Sequence, residues 1–446
     1  MRQNTIQRSS IATLFLGTIL ATTSCQNQTN TKSATIDINS RALRSQTKPQ
    51  YYAISSSATL VTLVRHAEQH HPATLAAQAK IQRLLAKVPQ VKALPDPKAR
   101  IAAGSLAETA AGRTSTIIGI EQSIPYPGKR SARAAAAQKE AQAASAELDN
   151  IRLRIAEQVR FAYWDYYYAS QSITIQRSNK QILKNIQDVI QTKVEANQAN
   201  QSDILRISTQ IAQTDKQIII AKQKVVEAKS KLNSLLNRPV GSSLPAPHRG
   251  NIASNKSLSR LLTRAENIHP SIRANQSKVA AFQQRLKLAH LNKLPDFTIG
   301  AQYAPVSSSG LSPVANGRDQ AMLTLGFTIP LWQEPRKAKI REANAGIAQM
   351  NAQLNLSRTE LQQRIKDAHF QIKSTQSIIQ LYQQRLIPDA KHALELDLDS
   401  YAAGKISYVS LLDTWRTLLT LQLQQQANYA QLGKASASLK SSANLN

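Results

Sequence analysis

Among its 446 residues the chain has a single cysteine, 14 glycines, 5% aromatic residues and only 27 acids against 56 bases. One cysteine excludes an intrachain disulfide. Few glycines and aromatics, beside abundant Ala, Gln, Leu, Ser and Lys, argue for long helices packed side by side. No stretch past the N-terminus is apolar for about eighteen residues, which excludes helical membrane spans. The shortage of acids leaves a formal charge of +29, which on its own suggests an anionic partner such as nucleic acid or a membrane surface. The bases are spread along the helical segments instead of forming one run, as the solvated faces of coiled coils are.

The N-terminus carries an address. Arg2 and Arg8 precede an apolar run over residues 11–20, and small residues 21–24 lead to Cys25. The run is too short to span a bilayer and has the layout of a secretory signal peptide, residues 1–24. Cys25 stands where a bacterial lipoprotein is cut and acylated, although Thr22 occupies the place usually held by Leu. Residues 25–57, rich in Gln, Asn, Thr and Ser without periodicity, are expected to form a flexible lipidated tether.

The remainder is a duplication. Leu60, Leu63, Ala67, Glu68, His71, Pro72, Ala76, Gln78 and Lys80 recur at one interval as Leu258, Leu261, Ala265, Glu266, His269, Pro270, Ala274, Gln276 and Lys278. Each copy predicts a short helix, a His-Pro break and a second helix with Pro at its first position. The repeat also disposes of a false lead. LVRHAE at residues 63–68 looks like a histidine phosphatase signature, but the second copy has Arg264 where His66 stands, and no α/β domain follows. His71 and His269 lack a surrounding ligand cluster, so helix capping explains them better than metal binding.

After matched LPDP and LPDF breaks the period changes to two. Phe297, Ile299, Ala301 and Tyr303 alternate with other residues, as do Leu323, Leu325, Phe327, Ile329 and Leu331, around a polar loop at 306–320. In the first copy Ile118, Ile120, Gln122 and Ile124 share a face. Apolar outward faces of this length fit membrane β-strands, in hairpins at about 98–125 and 295–331. Four strands cannot close a barrel, and an open edge in lipid would leave backbone groups unpaired.

Each hairpin leads, through YPGKR or LWQEPRK, into helix-forming sequence at about 131–196 and 337–402, roughly 100 Å each at 1.5 Å per residue. Ile204, Ile211, Ile218, Val225 and Leu232 form one seam of the next helix, with Ile207, Thr214, Ala221, Ala228 and Leu235 as the other. The aromatic cluster FAYWDYYY at 161–168 fits helix packing better than a ligand cage. Helical tips are expected at 197–203, with Asn197 at a left-handed position, and at 401–410, with Gly404.

In this combination of duplicated order, His-Pro starts, strand hairpins and paired tips, the chain resembles the TolC family of outer-membrane efflux channels, over about residues 58–435. The resemblance implies a mainly α fold with a small β part: a homotrimer whose duplicated helical hairpins form an α-barrel across the periplasm. Each protomer would give four strands to a shared 12-stranded barrel in outer-membrane lipid. It further implies a passive duct of a tripartite efflux or type I secretion system in a Gram-negative bacterium, docked to a periplasmic adaptor protein and an inner-membrane transporter, with no enzymatic activity, cofactor, metal site or nucleic-acid partner. By the family's pattern, the tips form the periplasmic gate. Tyr401, Gly404 and Asp413 match it, Ile406 replaces an Arg, Ser410 replaces an Asp, and Asn197 stands for a Gly. The resemblance therefore implies a Tyr401–Asp203 hydrogen bond as the surviving lock, with Asp413 in a threefold carboxylate ring. The expected boundaries are a first repeat at 58–237, a linker at 238–256, a second repeat at 257–435 and a disordered tail at 436–446. The alternative left by charge alone is a basic coiled-coil structural or nucleic-acid-binding protein.

Overall fold

A computed structural model describes residues 55, 58–103, 108–109, 112–250, 257–307 and 317–445. The signal peptide, Cys25 and almost all of the tether lie outside these residues.

The first repeat opens with α1 (Leu60–His70) and α2 (Pro72–Lys92). The second opens with α5 (Leu258–Ile268) and α6 (Pro270–Leu291). Both histidines cap as expected: His71 Nδ1 accepts from the Ala73 N–H at 3.1 Å, and His269 Nδ1 from the Ser271 N–H at 3.2 Å. Pro then takes the first helical position, where a missing N–H costs nothing. The suspected phosphatase motif resolves into packing. His66 Nε2 lies 3.2 Å from the Leu236 carbonyl, and Arg264 donates to the Asn444 carbonyl at 3.2 Å. In each copy the same helical position meets the end of that repeat's last helix.

Between these helices and the long ones lie the strands β1 (Lys98–Ala103), β2 (Glu108–Thr109), β3 (Gly112–Thr114), β4 (Thr116–Ile124), β5 (Phe297–Ala304), β6 (Val306–Ser307) and β7 (Gln320–Phe327). The main sheet is antiparallel in the order β1-β4-β5-β7, and a small second sheet, β2-β3-β6, extends the hairpins. Register places Ile101 opposite Ile118, Ile120 opposite Ala301, Ile299 opposite Leu325 and Phe297 opposite Phe327. One face is therefore apolar and exposed, with Leu323 87% and Leu325 77% accessible. The other carries Lys98, Arg100, Glu121, Thr298, Gln302 and Thr324. The last strand stops earlier than its alternation suggested. Ile329 and Leu331 remain exposed but lie beyond it, because Pro330 has no N–H for a ladder and the Asp296 N–H, opposite Thr328, donates to the Thr328 hydroxyl instead of its carbonyl.

The junction from strand to helix is tied across the repeats. Lys129 of the PGKR turn is buried and donates to the Leu294 carbonyl at 2.8 Å and to Asp296 Oδ1 at 2.7 Å, and that same oxygen accepts from the Tyr126 N–H. Arg130 donates to the Lys92 carbonyl and Arg336 to the Asn292 carbonyl, one at each helix start.

The long helices follow: α3 (Lys129–Glu195), α4 (Gln201–Leu235), α7 (Gln333–Leu381), a π-helical turn (Tyr382–Leu386), α8 (Ile387–Ala402) and α9 (Tyr408–Ser442). Of the two seams expected in α4, Ile207, Thr214, Ala221 and Ala228 are buried from one, with Ile218 and Leu232 from the other. In α3, Tyr163, Trp164, Tyr166 and Tyr167 lie in the core, as packing requires. A Cβ on Gly433 of α9 would collide with the Trp164 indole, so glycine permits this close helix approach. Residues 436–445, expected within a disordered tail, are ordered. Helix α9 continues to Ser442, with Ala437, Leu439 and Ala443 buried, because these residues complete the core formed with the repeat-opening helices.

Candidate functional site: the paired helical tips

Two apolar clusters hold the described residues together. The second gathers Leu183, Ile186 and Ile190 of α3, Ile207 of α4, Leu394 and Tyr401 of α8, and Tyr408, Leu411, Trp415 and Leu418 of α9. Both hairpin tips lie at its end, which brings Tyr401 and Asp203 into one neighbourhood.

The two tips have the same construction. Asn197 has φ 57° and Gly404 φ 76°. At the first, the Asn197 N–H donates to the Val194 carbonyl and the Gln198 N–H to the Lys193 carbonyl. At the second, Gly404 donates to Tyr401 and Lys405 to Ser400. This is the left-handed helix end in which two backbone donors satisfy otherwise orphaned carbonyls. The following helices start alike: Asn200 accepts from the Ser202 N–H at 3.0 Å and Ser407 from the Ser410 N–H at 3.2 Å.

The expected Tyr401–Asp203 hydrogen bond is absent. Among the described residues the buried Tyr401 hydroxyl has no hydrogen-bond partner, and the Tyr408 hydroxyl and Trp415 Nε1 of the same cluster have none either. Asp203 is still close enough to raise the pKa of both phenols. For Tyr401 burial is the larger cause and Asp203 the second, whereas Tyr408 is pushed up to about 12, first by burial, against the pull of Arg416 and with Asp203 adding to the rise. The polar tie is made instead by Lys193, which sequence reasoning missed. Its ammonium donates to the Tyr401 carbonyl at 2.6 Å and the Ala402 carbonyl at 3.0 Å, and lies 5.0 Å from the Tyr401 ring centroid. Its position in the last turn of α3, where a cation complements the helix dipole, was the available signal. Asp413 is exposed on α9. Farther along, Arg416 donates to Gln210 at 3.0 Å and Asn179 to Gln422 at 2.7 Å, so the hairpins are cross-linked by polar bonds above the tips.

An open-edged sheet with an apolar outer face, continued by helices of up to 67 residues that end in paired tips, suits a conduit better than a catalytic pocket. Comparison with known proteins agrees. The chain matches the family described as "Outer membrane efflux protein" over residues 63–238 and 261–445. It is 23% identical over 75% of its length, and 78% of the relative's, to the cobalt-zinc-cadmium resistance protein CzcC of Cupriavidus metallidurans. It is 24% identical to the pyoverdine export outer membrane protein OpmQ of Pseudomonas putida, over 73% of this chain and 70% of that one. Among solved structures, the outer-membrane channel OprN superposes with a TM-score of 0.73 at 16% identity, covering 87% of this chain and 90% of that chain. The outer membrane protein VceC of Vibrio cholerae gives 0.71 at 18% identity, covering 86% and 95%. Nothing in these likenesses supports a nucleic-acid-binding coiled coil, and the family is one of efflux ducts in the outer membrane of Gram-negative bacteria, extending into the periplasm and working with adaptors and inner-membrane pumps. The chain belongs to the outer membrane efflux protein family.

Proposed function

We propose that three copies of this chain form one passive export duct, with twelve strands in the outer membrane and the helical hairpins enclosing a periplasmic tunnel. The observation that carries this reading is the sheet itself: it ends at β1 and β7 with unpaired edges, which lipid does not tolerate, and neighbouring copies would supply the missing ladders. Acylation at Cys25 would add a lipid anchor. The tips form the periplasmic entrance, with Asp203 and Tyr401 inside each closed protomer and Asp413 facing its counterparts in a carboxylate ring. Two relatives of similar distance carry names for metal resistance and for pyoverdine export, which favours cargo being chosen by the inner-membrane transporter and not by the duct. Native mass spectrometry of detergent-extracted protein should give three chains, and the same sample should form channels of low conductance in planar bilayers. A monomer or dimer without channels would overturn the reading.

A further inference from the structure

Lys193 is a lysine where the fold offers little reason for one. It is only 8% exposed, yet among the described residues its ammonium bonds carbonyls and makes no ion pair with a carboxylate. Its ammonium is held by two carbonyls at the C-terminal end of α8 and by the face of Tyr401. Those carbonyls belong to the last turn of a helix, where partial negative charge accumulates and intrahelical partners run out. Its own backbone carbonyl meanwhile accepts the Gln198 N–H that closes the first tip. One residue thus takes part in closing both tips. The duplication does not account for it: the matching position in the second copy is Ser400, whose side chain has neither charge nor reach, so the tie runs from the first hairpin to the second only. Gly404 lies beside it, and its left-handed φ of 76° is what requires glycine there.

We propose that Lys193 is the latch that fastens the second hairpin's tip to the first within each protomer. A cation held by carbonyl dipoles instead of a buried carboxylate suits a reversible latch. When the tips part, water replaces the carbonyls around the ammonium, and no unpaired buried acid is left behind. The consequence for export rests on the tips being the entrance, so the test separates the two. Spin labels at Gln198→Cys and Lys405→Cys, with Cys25→Ser to leave no other thiol, report tip separation in the assembled protein. Lys193→Met keeps an aliphatic stem of similar length and removes the charged ammonium, and with it both hydrogen bonds and the contact with the Tyr401 ring. The distance distribution should broaden and lengthen in Lys193→Met and stay near that of the parent in Lys193→Arg. An unchanged distribution in Lys193→Met overturns the latch. Bilayer conductance of the unlabelled Lys193→Met protein should rise several-fold. A longer distance without a conductance change upholds the latch and removes the tips from the entrance.

Discussion

His269 caps α6 through Nδ1 and hydrogen bonds the Ser441 backbone at the end of α9, all at 6% exposure. Burial is the main cause that lowers its pKa from 6.5 to about 4, with Arg364 adding to the fall and the Ser441 bond opposing it. The folded chain therefore prefers the neutral ring. Its contribution to stability is complete above the unfolded value near 6.5 and is lost as pH falls through about 4, on the order of 3 kcal/mol. Thermal unfolding in detergent should show this acid loss, and His269→Asn, which retains a capping side chain, should reduce it; an equal loss in the variant would remove His269 as the cause. Capping histidines were legible in the sequence because their rule is local and is followed by proline. Lys193 was not, because its partners are carbonyls more than two hundred positions away and carry no side-chain signature. The Tyr401–Asp203 bond was inferred from pattern, and the pattern did not record that the phenol turns into an apolar cluster with Lys193 against its ring.

Helices of this length can differ between repeats only if the difference is absorbed without turning the buried faces. Ala137 and Ala343, Leu148 and Leu354, Val159 and Ile365, Tyr166 and Ile372, and Ala169 and Thr375 are all buried pairs at one constant interval. Beyond the π turn at Tyr382–Leu386 the interval is longer by one, as between Asn197 and Gly404, Asn200 and Ser407, or Asn237 and Asn444. A π turn bonds to the fifth residue in place of the fourth, so it holds one extra residue while the helix on either side keeps its face. Deleting the exposed Gln384 should therefore convert the turn to continuous α-helix and leave membrane-assembled protein near the parental yield. Deleting Gln371, where no π turn lies, would rotate everything up to the next correction by about 100° and should abolish assembly. Equal damage from both deletions would contradict the reading. Heptads made these helices legible; the π turn was hidden because Pro388, just after it, is equally compatible with an ordinary kink. The end of α9 differs from the expected tail because its small residues, Ala437, Ser441, Ser442 and Ala443, have little hydrophobic signal of their own yet are buried.

On the scale of the whole molecule, adjacent residues of β7 should behave as if in different solvents. Leu323 lies on the apolar face and Met322, opposite Gln302, on the polar one, and both are exposed in the single chain. Leu323→Arg should cost about 2–4 kcal/mol if it meets the bilayer midplane, which is readable as loss from the outer-membrane fraction. Met322→Arg should insert normally and alter conductance instead. Comparable insertion of both variants would deny the two-faced sheet. Alternation revealed these faces directly, whereas closure of the sheet lies between chains and could be read only as a deficit. The charge of +29 misleads at this scale: Lys80 and Lys278, equivalent in the two copies, share Glu147, and many other bases lie along the helices, so total charge describes surface chemistry more than partners. The unpaired edges at β1 and β7 also bear on biogenesis. Each newly made chain carries two strand edges with nothing to pair to among the described residues, next to a wide greasy surface, and is prone to wrong company until its proper neighbours arrive. Production of this protein should then be limited less by how well one chain folds than by how quickly unassembled chains are escorted and consumed.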